Sequence, residues 1–329
     1  LFLNETFSQI KPPSRPNQHP NAFSLGNLDN NKTKISHIKN YPANTDLAIE
    51  YVYSKPNTLN WGPRSAADKR NVSIKVYHSL IEMPDNDFEP LIDDPRVGFF
   101  TTYVSDMTST NYVNYRDLVH RWNLKKKNPD LPISEPVEPL VWWIENTTPK
   151  ELRPIIKKAG ELWNSAFEEA GFKNAVILKQ QPDSADWDAG DIRYNVIRWT
   201  SSPNPRFNGY GPSFVNPRTG EILGADIMLE YNSLSFFLNL SQLVGEGSSS
   251  QKTDLLSELE NTENGFCQAA ENGQMENVFG GLAIESMGAS KVEKSKITQQ
   301  YLTYLVLHEM GHTLGLTHNM KSSQLHSLK

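Results

Sequence analysis

Residues 305–319 read LVLHEMGHTLGLTHN and place three of the chain's eight histidines, His308, His312 and His318, within eleven positions. His308 and His312 are four apart, and in a helix such residues stand one above the other on the same face, with Cβ atoms about 5–6 Å apart. Two imidazoles so placed can converge on one zinc ion, at Zn–N distances of about 2.0–2.1 Å. Glu309 follows the first histidine. It is too far round the helix to join the coordination easily but close enough to reach a water at the metal, which is the place of a general base. Gly315 can take the positive φ that ends a helix, so that Leu316 and Thr317 carry His318 back as a third ligand. Three neutral imidazoles leave one tetrahedral position open, as catalytic zinc sites do and closed structural ones do not. Zinc in such a site lowers the pKa of bound water to about 7 and polarises a carbonyl. The chemistry expected is peptide-bond hydrolysis by activated water, with Glu309 taking a proton and returning it to the leaving amine. The bland alternative is a buried helix end with satisfied histidines, and the glycine and third histidine at their offsets weigh against it.

Such a site needs a helix and a sheet to hold it. KITQQYLTYLVLHEMGHTLG (296–315) is one long helical pattern, expected to run to about Leu314. Upstream, LVWWIE (140–145) is a β-branched and aromatic run, hence a strand. PKELRPIIKKAGELWNSAFEEAGF (149–172) has apolar residues at helical spacing and a stop at Gly171. NAVILKQ (174–180) and IRYNVIRWTS (192–201) are further strands, and residues 210–232 form an extended pair about a turn at Asn216–Gly220. Strand, helix, strand, strand and extended pair give an α/β (α+β) class: a mixed twisted sheet backed by helices. Before it, DLAIEYVY (46–53) and VSIKVYHSLIEM (72–83) alternate as strands do. The expected division is a β-rich N-terminal domain at 1–90, a connector at 91–139 and a catalytic domain at 140–329.

Composition narrows the partners. The 329 residues, 37% of them hydrophobic, can build a real core. A net charge of −6 leaves no basic footprint for a phosphate backbone, so nucleic acid is not an expected partner. No run approaches the roughly 20 apolar residues of a membrane span. One cysteine, Cys267, excludes an internal disulfide framework and a multi-cysteine metal site. Nothing in the composition sets an oligomeric state.

His308-Glu309-x-x-His312-x-x-Gly315-x-x-His318 is the extended zinc signature of the metzincin metallopeptidases. With DDPRVGFF (93–100), HRWNLKKKNPD (120–130), residues 135–177, IRYNVIRWTSSP (192–203), NPRTGEILGADIML (216–229) and HEMGHTLGLTHNMKSS (308–323), the chain from about residue 70 resembles a family of large bacterial zinc-dependent metalloproteases. That resemblance implies a metzincin-like catalytic domain after a domain of unassigned role, and an exported, periplasmic or extracellular protein. It implies one catalytic zinc on His308, His312 and His318, with Glu309 as base and a polypeptide substrate. Metzincins also place a methionine in a tight turn beneath the zinc, and only Met320 follows His318, too close to serve. The chain is therefore expected to be a section of a longer polypeptide lacking part of its C-terminal subdomain.

Metzincins bind extended substrates by adding them to an edge strand. GYGPSFV (209–215) is the candidate, with Gly211, Pro212, Ser213 and Phe214 as substrate-binding residues; an ordinary loop is the alternative. Asp183, Asp186, Asp188 and Asp191 could form a calcium loop, but their spacing matches no EF-hand, and a solvated turn fits better. Cys267, Asp93 or Asp94 could block the zinc in a latent form, but no motif surrounds Cys267, a lone cysteine is more often a small buried apolar residue, and Asp-Asp-Pro is a common turn. The function expected is a zinc metalloendopeptidase. Its rivals are a zinc amidase acting on non-protein or cell-wall peptide substrates, and a non-catalytic zinc-containing binding protein, which would have no need of Glu309.

Overall fold

A computed structural model of the chain describes residues 27–54, 71–94, 96, 98–202, 208–231 and 291–318. Cys267 and Met320 lie outside these residues. The chain divides into two units, Leu1–Glu82 and Met83–Lys329.

The first unit is built around one long strand. β1 (Asn27–Leu28), β2 (Lys34–Asn40), β3 (Asn44–Ser54) and β4 (Asn71–Ile81) form an antiparallel sheet. β4 runs along one edge of β3 from Asn44↔Ile81 to Ser54↔Asn71, while β2 and β1 share the other edge. Val72, Ile74 and Val76 pack on the buried Ile49, Tyr51 and Tyr53. This is the side-chain period of two that alternation in the sequence implies.

The second unit carries the histidines. β5 (Thr101–Thr102) and β6 (Leu118–Val119) pair as a short antiparallel ladder. β7 (Leu140–Ile144) follows, then α1 (Arg153–Glu161), α2 (Trp163–Glu169), β8 (Val176–Gln180), β9 (Asn195–Thr200), β10 (Gly209–Tyr210), β11 (Ser213–Val215), β12 (Ile222–Ala225), β13 (Ile227–Glu230) and α3 (Lys291–Thr313). The five-stranded sheet has the order β10-β13-β9-β7-β8. β8, β7, β9 and β13 are parallel, and β10 is an antiparallel edge on β13. β11 and β12 form a separate hairpin closed by Asn216–Gly220, where Gly220 has φ 80°. The class is α+β with mixed sheets.

The pattern at 149–172 forms two helices that meet at Leu162, whose N–H bonds the Ala159 carbonyl in a tight i→i+3 contact. Pro154 sits in the first turn of α1, where its missing N–H costs nothing. Gly171, at φ 86°, closes the segment.

The core fills the space between sheet and helices. Trp142, Ile144, Leu178, Ile197 and Ile227 come from the strands, Ile156 and Ala159 from α1, and Leu302, Leu305, Val306 and Met310 from α3. The α3 positions repeat every three to four residues, so they form the stripe that docks the helix. That docking fixes which way the histidines face.

Candidate metal centre

On α3, Glu309 and Met310 are buried, while His308 and His312 are half-buried and His318 is exposed. The helix ends at Thr313, and Gly315, at φ 98°, turns the chain. A Cβ on Gly315 would lie 2.2 Å from the His120 carbonyl oxygen, so both backbone conformation and space require glycine there. Leu316 and Thr317 then bring His318 back to the helix.

The three Nε2 atoms form a near-equilateral triangle: His308 to His312, His308 to His318 and His312 to His318 are each 3.1 Å. His312 Nδ1 lies 2.8 Å from the Leu316 carbonyl, which can only accept a hydrogen bond. His312 therefore carries its proton on Nδ1 and turns a lone pair inward from Nε2. The corners of such a triangle lie about 1.8 Å from its centre, so all three nitrogens could reach one ion at zinc–nitrogen distances of about 2.0–2.1 Å. The donor set, three imidazole nitrogens within reach of one centre, fits zinc. Burial pushes the His308 imidazole down to about 4, with the neighbouring His312 and His318 adding to the effect, which keeps the lone pair available at neutral pH. Burial lowers His312 as well. Among the described residues, this triad is the group of His, Cys, Asp or Glu side chains able to hold a metal ion.

The Glu309 side chain lies against Gly209 of β10, at the edge of the sheet. It is 1% exposed, and its Oε1 has no hydrogen-bond partner among the described residues. The backbone of Gly211 hydrogen-bonds the carboxylate. Burial pushes the carboxyl up to about 7, against the partial opposition of that bond. Gly209 leaves room for the carboxyl, and Gly211 lets the strand approach the helix backbone. A Cβ on Gly209 would meet Glu309 Oε1 at 2.6 Å, and one on Gly211 would meet the Glu309 carbonyl oxygen at 2.5 Å.

The other candidate residues lie nearby. Pro212 accepts a hydrogen bond from Asp226 N–H through its carbonyl. Ser213 and Phe214 are in β11, paired with Ala225 and Gly224 of β12. The aspartate loop is held by its own contacts instead of converging. Asp191 pairs with Arg193, Asp188 accepts from Gly190 N–H, and Trp187 stacks on Tyr194 at 3.9 Å. Calcium gains no support there. Asp94 is paired with Arg96.

Several residues that hold the site are not visible in the motif. Trp163 Nε1 donates to the Leu307 carbonyl at 3.1 Å, and Trp122 Nε1 to the Thr313 carbonyl at 2.9 Å. These carbonyls bracket the His308–His312 turn of α3. Phe100 stacks obliquely on His312, with ring centroids 5.6 Å apart.

Comparison with known families agrees with the C-terminal geometry. Residues 290–329 match a family described as Met-zincin, and residues 2–127 match a domain of unknown function, DUF5117. No curated protein and no solved structure matches the chain. The C-terminal segment is thus similar to metzincins, which supports zinc binding and a metalloprotease type of function.

Proposed function

We propose that the protein is a zinc-dependent metalloendopeptidase in which His308, His312 and His318 hold the metal and Glu309 is the general base. The observation that carries this reading is the 3.1 Å triangle of imidazole nitrogens beside a buried carboxylate whose Oε1 lacks a partner among the described residues. When bound, zinc supplies Lewis acidity, which makes water a nucleophile near neutral pH and polarises the scissile carbonyl.

The chain's own residues supply the rest. Glu309 is raised by burial to about 7, so its carboxylate is basic enough to take a proton from the attacking water and acidic enough to release it. It delivers that proton to the amine nitrogen as the peptide bond breaks. Gly211 fixes the carboxylate through its backbone hydrogen bond. The edge of β10, continuing into Gly211, suits an extended polypeptide added as a further strand, with Pro212, Ser213 and Phe214 flanking it. The resemblance adds the setting, an exported bacterial protease.

The test is hydrolysis of casein by the zinc-loaded protein, its abolition by a chelator and its recovery on zinc addition. Cleavage that survives metal removal, or a zinc-loaded protein that leaves casein intact, contradicts the proposal.

A further inference from the structure

Residues 98–122 lie within the 2–127 stretch that matches a domain of unknown function, yet they meet the turn that delivers the third histidine. Phe99 and Leu316 form an antiparallel bridge. Thr317 N–H donates to the Gly98 carbonyl at 3.0 Å, and Phe100 N–H donates to the Gly315 carbonyl at 2.8 Å. Behind Phe100 the His120 N–H donates to the Phe100 carbonyl at 2.8 Å, and the His120 carbonyl is the atom that denies Gly315 a side chain. Trp122, two residues on, holds the Thr313 carbonyl. This carbonyl is one of the last of the helix, which have no intrahelical donor.

We propose that Gly98–Phe100 and Trp122 are positioning residues for the metal, a frame that sets His318 through the Leu316–Thr317 turn. The inference rests on the reading of His318 as a ligand. His318 is exposed and has left the helix, so the helix alone does not fix it. Metal geometry tolerates an error of only about 0.5 Å in a ligand. The main-chain bond from Thr317 to Gly98 is adjacent to the ligand in sequence and comes from a segment far earlier in the chain. The C-terminal end of the unassigned domain thereby becomes part of the metal centre's support.

The test is a double-mutant cycle in the full chain, with zinc affinity read by competition against a chromogenic chelator. Gly98→Val places a branched side chain where even a Cβ lies 2.7 Å from Thr317 Oγ1. Trp122→Phe removes the indole N–H and adds no bulk. Each is made alone and together with His318→Ala. If the frame acts through His318, each single variant weakens zinc binding by about 10–100-fold, the usual cost of losing support behind a ligand. The same changes then cost less than about twofold once His318 is gone. Equal losses in both backgrounds indicate a general folding role and overturn the inference, as does no loss in either. An unaltered chain that binds no zinc overturns the metal-site reading itself, and that outcome is distinguished by the parent protein alone.

Discussion

His312 Nδ1 sits 2.8 Å from the carbonyl oxygen of Leu316, four residues on, and this contact decides which nitrogen of the imidazole faces the other two histidines. A carbonyl accepts only, so the proton is on Nδ1 and the inward Nε2 is a lone pair. With the Nε2 atoms of His308 and His318 also 3.1 Å away, the three nitrogens are close enough for one cation to join them. Zinc binding is then a source of stability. At a free zinc concentration of about 100 times Kd the gain is about 2.7 kcal/mol, and chelation removes it. Thermal unfolding with zinc and with excess chelator measures this directly, and coincident transitions contradict it.

Gly315→Ala should disable the turn. The residue is at φ 98°, and the added Cβ meets the His120 carbonyl oxygen at 2.2 Å. An L-residue held there costs about 1–3 kcal/mol in backbone strain, before the collision is relieved. The expected result is a lower unfolding midpoint and weaker zinc binding, because any shift of Gly315 moves His318. Unchanged zinc affinity contradicts this account of the turn.

Gly209→Ala should separate metal binding from catalysis. Its Cβ would meet Glu309 Oε1 at 2.6 Å, with Glu309 Cγ and Cδ next, and displace the carboxylate. Misplacing a catalytic group by about 1 Å costs about 10²-fold in rate. Zinc stoichiometry should stay the same while casein hydrolysis falls. Loss of zinc together with activity would place Gly209 in the fold and not in the site.

Asp226 predicts a pH dependence of stability. It is 8% exposed, and burial pushes its carboxyl up to about 7 even though its Oδ1 accepts the Val196 N–H at 2.9 Å. In the unfolded chain it titrates near the ordinary value of about 4. Between those values the folded state holds a proton that the unfolded state has lost, so stability falls as pH rises from about 4 to about 7. The Asp226 contribution has a slope of at most about 1.4 kcal/mol per pH unit. Asp226→Asn keeps an acceptor for Val196 and removes the titration. Relative to the parent, it should gain up to about 4 kcal/mol at pH 8 and close to nothing at pH 4. Denaturant unfolding at both pH values checks the sign, and a gain confined to low pH reverses it.

How much of the structure is legible in the sequence depends on the range of the interactions. His308, Glu309, His312, Gly315 and His318 are legible because a helix and its stop are local, and their offsets alone bring three nitrogens together. LVWWI (140–144) is legible as β7 for the same reason, as are the strands at Val176–Gln180 and Asn195–Thr200. The break at Leu162 is not legible, since the apolar spacing continues through it. Trp122, Trp163 and Gly209 are hidden for a different reason. Trp122 meets Thr313 across 191 positions and Trp163 meets Leu307 across 144, and periodicity within a segment holds no information about its distant partner. The GYG at 209–211 is the available signal: two glycines flanking one aromatic residue mark a backbone that something approaches closely. Asp226 gives no signal, because its burial depends on the neighbouring strands β9 and β13 and on Pro212.

The most direct measurement of the central claim compares the parent protein with Glu309→Gln for zinc content and for casein hydrolysis on the same preparations. About one zinc is expected in each, with a fall of about 10²-fold or more in hydrolysis for Glu309→Gln, since the substitution keeps the shape and removes the base. Equal hydrolysis by the two zinc-loaded proteins would contradict the role of Glu309, and a parent without zinc would contradict the metal centre itself.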